Sequence, residues 1–415
     1  MRETTHTVMA DSGHAAASGL MAELATAAGQ ADPYSVYRRL RALGDAVAGP
    51  DDSLIVTGYD RCSALLRDHR LRKNPGRLLA ASGLPDWESR PALRMMFTSI
   101  LMLNPPEHTR LRGLVARAFT ARRIAQLRPA VEAIADRICD ALDFDFDFDF
   151  DFVEAVAFPF PVAVIGELLG VPEADRPMFR DLVARWSAVL ELLSPLAIDR
   201  ADDAASAIVD YFLDLAASRR RRPADDLISA LVTAQDGDQL TDEELVTMAA
   251  LVLAAGFETT SGLLANGLVA LLEHPGQAQR LRHEPDLARP AVEELLRYDA
   301  PVQLIYGRTA VDAIEVGDLY LHPGQRVITV LGAANRDPRA FRSPDELILD
   351  RDEGPALSFG AGIHHCLGAA LARLEGRVML PRILARFPRL QLAGDPVRRP
   401  GITIRAYESL PVCAR

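Results

Sequence analysis

The 415-residue chain is short of paired cysteines, of surplus positive charge and of low-complexity linker. Its four cysteines, Cys62, Cys139, Cys366 and Cys413, stand far apart, and no CxxC pair occurs. That pattern disfavours a zinc knuckle or a disulfide scaffold and favours reduced, cytosolic thiols. Net charge is −11, which speaks against a general nucleic-acid footprint. Length alone would allow two or three domains, yet no Gly/Ser-rich or Pro-rich stretch marks a cut. Residues 1–30 are Ala-rich but lack the apolar run of a membrane span and the basic start of a signal peptide. A flexible N-terminus over 1–30, one domain over 31–415, and a protein free in the cytoplasm with no membrane contact are therefore expected.

What is present is apolar material, 49% of the chain, enough for a large core. Most of it reads as helix. Residues 33–44 and 59–68 form short amphipathic patterns around a small strand, Ser53–Thr57. Two helices lie within 106–140, Phe158–Leu169 is a strongly apolar helix, and 173–220 supplies more. Arg219–Arg222 reads as a solvated helix end. Five Asp-Phe dipeptides, Asp143–Phe152, alternate strictly and predict a strand with Phe on one face and Asp on the other. Fully extended they would span about 33 Å, so part reads as exposed loop. After residue 300, β-prone runs such as Asp318–Leu321 and Arg326–Val330 alternate with turn residues. A final helix is expected from about Leu367 to Phe387. The fold class is mostly α with a small β-rich part.

The clearest helix starts at Thr241, where Thr241 and Glu244 form a capping-box pattern. The helical pattern continues to about His274, roughly 50 Å at 1.5 Å per residue. Met248–Phe257 is apolar all round, as in a helix buried through a protein's centre. The competing reading, a membrane span, fails because Glu258, Thr259, Thr260 and Ser261 interrupt the run. Within it lies Ala255-Gly256-Phe257-Glu258-Thr259-Thr260. A Thr259 hydroxyl can bond the Ala255 carbonyl and bend the helix. Glycine there costs roughly 1 kcal/mol against alanine. Either feature alone would read as helix packing, but the acid beside them points to chemistry.

Residues 359–368 read Phe359-Gly360-Ala361-Gly362-Ile363-His364-His365-Cys366-Leu367-Gly368, and a good helix former follows at once. Cys366 is thus expected at a helix N-terminus, where unpaired N–H groups favour a thiolate. The glycines let the loop turn tightly and lie against a flat partner. A phosphate loop is rejected because the third glycine is missing. A zinc site is disfavoured because three neighbouring residues rarely converge on one tetrahedral ion. A buried structural cysteine is the remaining plain alternative.

Here the chain resembles the cytochrome P450 family, whose ligand signature Phe-Gly-x-Gly-x-His/Arg-x-Cys-x-Gly is complete from Phe359 to Gly368. The resemblance covers nearly the whole chain. It implies the single-domain P450 fold, a haem b held by Cys366 as metal ligand, and a loop in which Phe359, Gly360, His364 and Gly368 face the cofactor. It implies that Glu258 and Thr259 deliver protons to iron-bound dioxygen beside Ala255. Glu294 and Arg297, spaced as ExxR, become a buried structural ion pair, with Arg351 as third partner. His108, Arg112, Arg308 and His364 become the cations of the haem propionates. Asn104 stands where the family usually has Asp.

The resemblance further implies insertion of one atom of O2 into a hydrophobic small molecule. Electrons would come from NAD(P)H through separate proteins, a ferredoxin and its reductase, since no flavin or nicotinamide domain is visible. Arg110, Arg117 and Arg373 are candidate contacts for the acidic carrier. A monomer is expected. Positions facing the distal side map to Leu251 and Ala254, to Leu304 and Ile305, and to Thr403 and Ile404, with Ala406 in place of a commoner glycine. The variable loop between Asn74 and Asn104 adds Met95, Met96 and Phe97. That apolar lining suits a polyketide or macrolide-like secondary metabolite, hydroxylated or epoxidised, with a terpenoid or steroid as runner-up. The rivals of other classes are a haem-thiolate binding or sensor protein without turnover, and a helical scaffold without haem.

Overall fold

In the computed structural model, the described residues are 2–74, 76, 79, 84, 86–142, 148–191, 195–236 and 240–414. They form two compact units. One comprises Met1–Asn74, Asn266–Cys366 and Val397–Glu408, the other Pro75–Ala265, Leu367–Pro396 and Ser409–Arg415.

The first unit is built on a five-stranded sheet. Its strands lie in the order Ala46–Ala48, Ser53–Val56, Arg326–Val330, Leu304–Ala310 and Leu71–Lys73. Ser53–Val56 and Arg326–Val330 run parallel, and the other neighbours run antiparallel. Helix Pro33–Leu43 starts where its sequence says it should. Asp32 caps the Ser35 N–H at 3.3 Å and proline takes the first turn. It buries Val36, Tyr37 and Leu40 in a cluster with Ile55, Val330 and Ala333.

Residues 1–30, expected as flexible, contain helices Arg2–Leu24 and Ala27–Ala31. Ala17, Leu20, Met21 and Leu24 recur at i, i+3, i+4 and i+7 and join the same cluster, Ala17 and Leu24 fully. Helix Tyr59–Arg67 buries Cys62, Leu65 and Leu66 beside the sheet residues Val56 and Val327. Helix Ala288–Tyr298 carries the Glu294 and Arg297 pair.

The second unit is mainly helical. Helices Glu107–Ala116 and Ala121–Ala141 fill the 106–140 span, and Pro159–Leu169, Phe179–Ser187, Pro195–Arg221 and Leu227–Asp236 follow. The long helix, Asp242–Glu273, belongs to this unit as far as Ala265. Its capping box is formed: the Thr241 N–H donates to the Glu244 carboxylate at 2.9 Å, and the Glu244 N–H donates to the Thr241 hydroxyl at 3.1 Å. Among the described residues it is the one helix long and apolar enough to cross a membrane, but 78% of its most apolar window is buried inside the protein. Helix Ala369–Arg386 packs against Ala121–Ala141, tied by Arg382 to Asp136 at 2.8 Å.

Within the described part of the Asp-Phe repeat, Phe148–Asp151 is a strand paired antiparallel with Pro411–Ala414; residues 143–147 lie outside the described residues. Phe148 and Phe150 share one face, with centroids 5.3 Å apart, and both rings meet Phe387 at 6.0 Å. The strand stops because Asp151 accepts the Val153 and Glu154 N–H groups at 2.8 and 3.1 Å, turning the chain into the helical segment Val153–Ala157.

Candidate active site

The ligand loop lies in the first unit. Cys366 is exposed, whereas Cys62, Cys139 and Cys413 are buried. Burial pushes the Cys62 thiol far above its ordinary range, and burial with Asp136 nearby pushes Cys139 up to about 11. Neither can serve as a thiolate. The loop closes on itself: the Cys366 N–H donates to the Phe359 carbonyl at 2.9 Å, and the His365 N–H to Gly362 at 3.0 Å. Gly360 and Gly362 have φ of 66° and 71°, a region closed to most side chains. At Gly362 a Cβ would also sit 2.5 Å from the Leu66 carbonyl. His364 lies in the short turn Gly362–His364. The following helix begins at Ala369 with Gly368 as N-cap, so Cys366 stands just outside its first turn rather than in it.

Beneath the loop the Glu294–Arg297 pair is the centre of a buried network. Arg297 donates to both Glu294 oxygens at 2.6 and 2.8 Å, and Arg351 reaches the same carboxylate at 3.1 Å. Arg297 also donates to the Asn335, Pro344 and Glu346 carbonyls at 3.0, 2.7 and 3.1 Å. Asn335 carries the network to the loop. Its amide donates to Ser358 at 2.8 Å and accepts the Leu357 N–H at 2.7 Å, while Ser358 donates to Leu296 at 2.7 Å. Asn335 and Ser358 were not predicted, since neither belongs to a spaced motif.

Arg308 is 4% exposed, and its Nε is buried without a hydrogen-bond partner. Burial holds it down to about 10. One of its terminal nitrogens donates to the Leu66 carbonyl at 3.4 Å, the same carbonyl against which Gly362 packs. A buried guanidinium with an unused donor beside the ligand loop fits a carboxylate-bearing cofactor. Leu304, Ile305, Thr403 and Ile404 are gathered in the same unit. Val302 bridges Ile404, the Gln303 N–H donates to Thr403 at 2.9 Å, and a Cβ on Gly360 would meet Ile305 at 3.9 Å.

In the second unit, the long helix is buried from Leu251 to Ala254 and again at Phe257 and Glu258, but Ala255 is exposed and Thr259 partly so. The Thr259 hydroxyl donates to the Ala255 carbonyl at 2.9 Å, and Thr260 repeats the bond to Gly256. A Cβ on Gly256 would fall 2.7 Å from Ile165, so glycine there is also a packing requirement. Glu258 is 7% exposed and accepts a hydrogen bond from the buried Ser187 hydroxyl at 2.7 Å. Sequence reading missed Ser187; no local signal links it to Glu258, 71 residues away.

His108 is buried one turn from Arg112 on helix Glu107–Ala116. Burial, then the Arg112 charge, hold His108 below its ordinary range. Met95, Met96 and Phe97 are buried in a helix, Pro91–Phe97, where a loop was expected. Proline at its first turn and the Ala-Leu-Arg-Met-Met run explain the helix. Of the carrier-contact candidates, Arg110 is engaged with Glu244, so its charge is offset. Arg117 is exposed and Arg373 half-buried.

The family model of cytochrome P450 matches residues 85–400, and the chain belongs to the cytochrome P450 family. It is 42% identical over 391 residues to cytochrome P450 monooxygenase PikC of Streptomyces venezuelae, covering 92% of this chain and 91% of that protein. It is 37% identical over 397 residues to 6-deoxyerythronolide B hydroxylase of Saccharopolyspora erythraea, covering 92% and 96%. The solved structure of the bacillaene polyketide synthase cytochrome P450 PksS from Bacillus subtilis 168 aligns with a TM-score of 0.83 and 34% identity, over 94% of this chain and 98% of that one. The protein is thus a monooxygenase with the P450 fold, of the bacterial natural-product type. As a family member it uses haem and O2, draws electrons from a redox partner and acts on a hydrophobic substrate.

Proposed function

We propose that this enzyme hydroxylates or epoxidises a polyketide or macrolide-like secondary metabolite, with Cys366 as the thiolate ligand of a haem b. The observation that carries the ligand assignment is that Cys366 alone among the four cysteines is exposed, in a loop shaped by two left-handed glycines. Haem bound by a cysteine thiolate supplies the activation of dioxygen, the thiolate favouring O–O cleavage.

The chain's own residues do the rest. Phe359, Gly360, His364 and Gly368 line the loop side. Arg308, His108, Arg112 and His364 are the cations that would hold the acid groups of the cofactor. Glu258 holds the proton to be delivered at its carboxyl, steadied by Ser187. The Thr259 hydroxyl, directed by its bond to Ala255, passes it on. Glu294, Arg297 and Arg351 are scaffold.

The names of 6-deoxyerythronolide B hydroxylase and the polyketide synthase P450 support the substrate class. The apolar character of Met95, Met96, Phe97, Leu251, Ala254, Leu304, Ile305 and Ile404, with Thr403 as one polar group, agrees with it. Electrons come from NAD(P)H through a ferredoxin reductase and a ferredoxin, the carrier meeting Arg117 and Arg373. The protein works as a cytoplasmic monomer, with 31–415 as its P450 domain. Spectral titration tests the substrate reading: macrolactones and polyketide lactones should give tight type I shifts. Shifts with small, strongly polar compounds alone would overturn it.

A further inference from the structure

Lys73 is the only lysine in the chain; every other basic position that is not histidine is arginine. It ends the edge strand Leu71–Lys73 of the first unit's sheet, directly opposite Arg308 in antiparallel register. Opposed residues share a sheet face, and like charges so placed are destabilising. Yet both side chains are turned inward: Lys73 is 7% exposed and Arg308 4%, while Arg72 between Leu71 and Lys73 faces outward. A lysine that guards a sheet edge against strand addition keeps its head in water; this one does not. Burial and the Arg308 charge lower its ammonium to about 7, and its Nζ lies 3.4 Å from the Tyr306 carbonyl.

Two buried cations on one patch call for an anion. No carboxylate among the described residues acts on Arg308, whose Nε is left without a partner. The patch adjoins the ligand loop through the Leu66 carbonyl, which both Arg308 and Gly362 approach. We propose that Lys73 and Arg308 form a two-cation cradle for one carboxylate of the haem, Lys73 being a cofactor-binding residue outside the four cations named above. The two cations complement each other. Arg308 offers a planar fork of donors, and Lys73 adds a compact point charge. Bound anion restores the ammonium of Lys73 and removes the repulsion between the pair. The inference rests on the haem-thiolate reading.

The test is haem transfer from the holoenzyme to apomyoglobin, for the wild type, Lys73→Gln and Lys73→Arg, each also reconstituted with the dimethyl ester of haem. Lys73→Gln should lose haem roughly tenfold faster than wild type, as loss of a charge-assisted bond predicts, and Lys73→Arg less so. With the diester, which has no carboxylate, wild type and Lys73→Gln should lose it equally fast. The ferric/ferrous potential should fall in Lys73→Gln and hold in Lys73→Arg. Equal transfer rates with ordinary haem overturn the proposal. So does a Lys73→Gln effect that persists with the diester, which would mean a structural role or another anion, such as a substrate carboxylate. The ferrous–CO spectrum of each variant separates this outcome from failure of the thiolate reading, which would show in the wild type itself.

Discussion

The hydroxyl of Ser187 donates to the Glu258 carboxylate at 2.7 Å, with Ser187 and Glu258 only 4% and 7% exposed. Glu258 precedes Thr259, whose own hydroxyl donates to the Ala255 carbonyl at 2.9 Å. The long helix therefore presents an acid and an alcohol side by side, the acid held by the Ser187 hydroxyl and the alcohol by the Ala255 carbonyl. A neutral hydroxyl steadies a carboxylate without binding it as tightly as a guanidinium would, so the acid is held yet can exchange partners.

From this follows an ordered pair of effects. Glu258→Gln should lower turnover by about a hundredfold, the lower end of what general acid work contributes. Ser187→Ala should lower it by much less, about tenfold, because the acid survives and only its bond, worth about 1.5 kcal/mol, is lost. The ratio of the two losses, with substrate affinity unchanged in both, is the measurement. Equal losses would mean that Ser187 matters through packing.

Thr259→Ala should bind haem and substrate normally and divert electrons to peroxide. Thr259→Ser should retain most product formation, because the donor is kept. Peroxide released per NAD(P)H reads the difference. The helix itself should not suffer, since a hydroxyl bonded to the carbonyl four residues back adds little stability. Unchanged coupling in Thr259→Ala would assign this threonine to packing alone.

The Glu294 network makes a claim about stability rather than chemistry. Glu294→Ala leaves Arg297 and Arg351 buried without their shared anion and should cost about 3–5 kcal/mol. Denaturant midpoints of the apoprotein check it. Because Asn335 and Ser358 carry the network to Leu357, Ser358→Ala should raise loop mobility and speed haem loss with a smaller stability change.

Glu375, on the helix after the ligand loop, gives a pH prediction. It is 2% exposed, one carboxyl oxygen is without a partner, and burial pushes it well above the usual carboxylate range. The folded state therefore keeps the proton where the unfolded chain releases it. The stabilisation is complete below the unfolded value, near pH 4.5, and is lost as pH rises from there toward the folded value. Glu375→Gln cannot ionise, so its stability relative to wild type should improve steadily from pH 5 to pH 8. A constant difference across that range would show that Glu375 is not a buried neutral acid.

Much of this was legible because it is local. The ligand loop, the capping box at Thr241 and Glu244, and the Thr259 to Ala255 bond all lie within a few residues of sequence, where spacing dictates geometry. Cys366 outside the first helical turn is a two-residue matter of Gly368 acting as cap. What sequence did not show is long-range pairing: Ser187 with Glu258, Asn335 with Ser358, and Lys73 across the sheet from Arg308. No periodicity records such pairs. The N-terminal helix is a different case. Its Ala17, Leu20, Met21, Leu24 stripe was present but masked by an alanine-rich, polar-flanked composition. Within the described part of the Asp-Phe repeat the alternation ends at Asp151, because one of its carboxyl oxygens accepts the Val153 and Glu154 N–H groups and the other accepts the Ser409 hydroxyl.

The central claim is the ligand, and the ferrous–CO spectrum tests it most directly. Wild type and the Cys62→Ala, Cys139→Ala and Cys413→Ala variants should all show the strongly red-shifted Soret band of a thiolate-bound haem, while Cys366→Ala should lose it together with activity. A red-shifted band retained in Cys366→Ala would contradict the account.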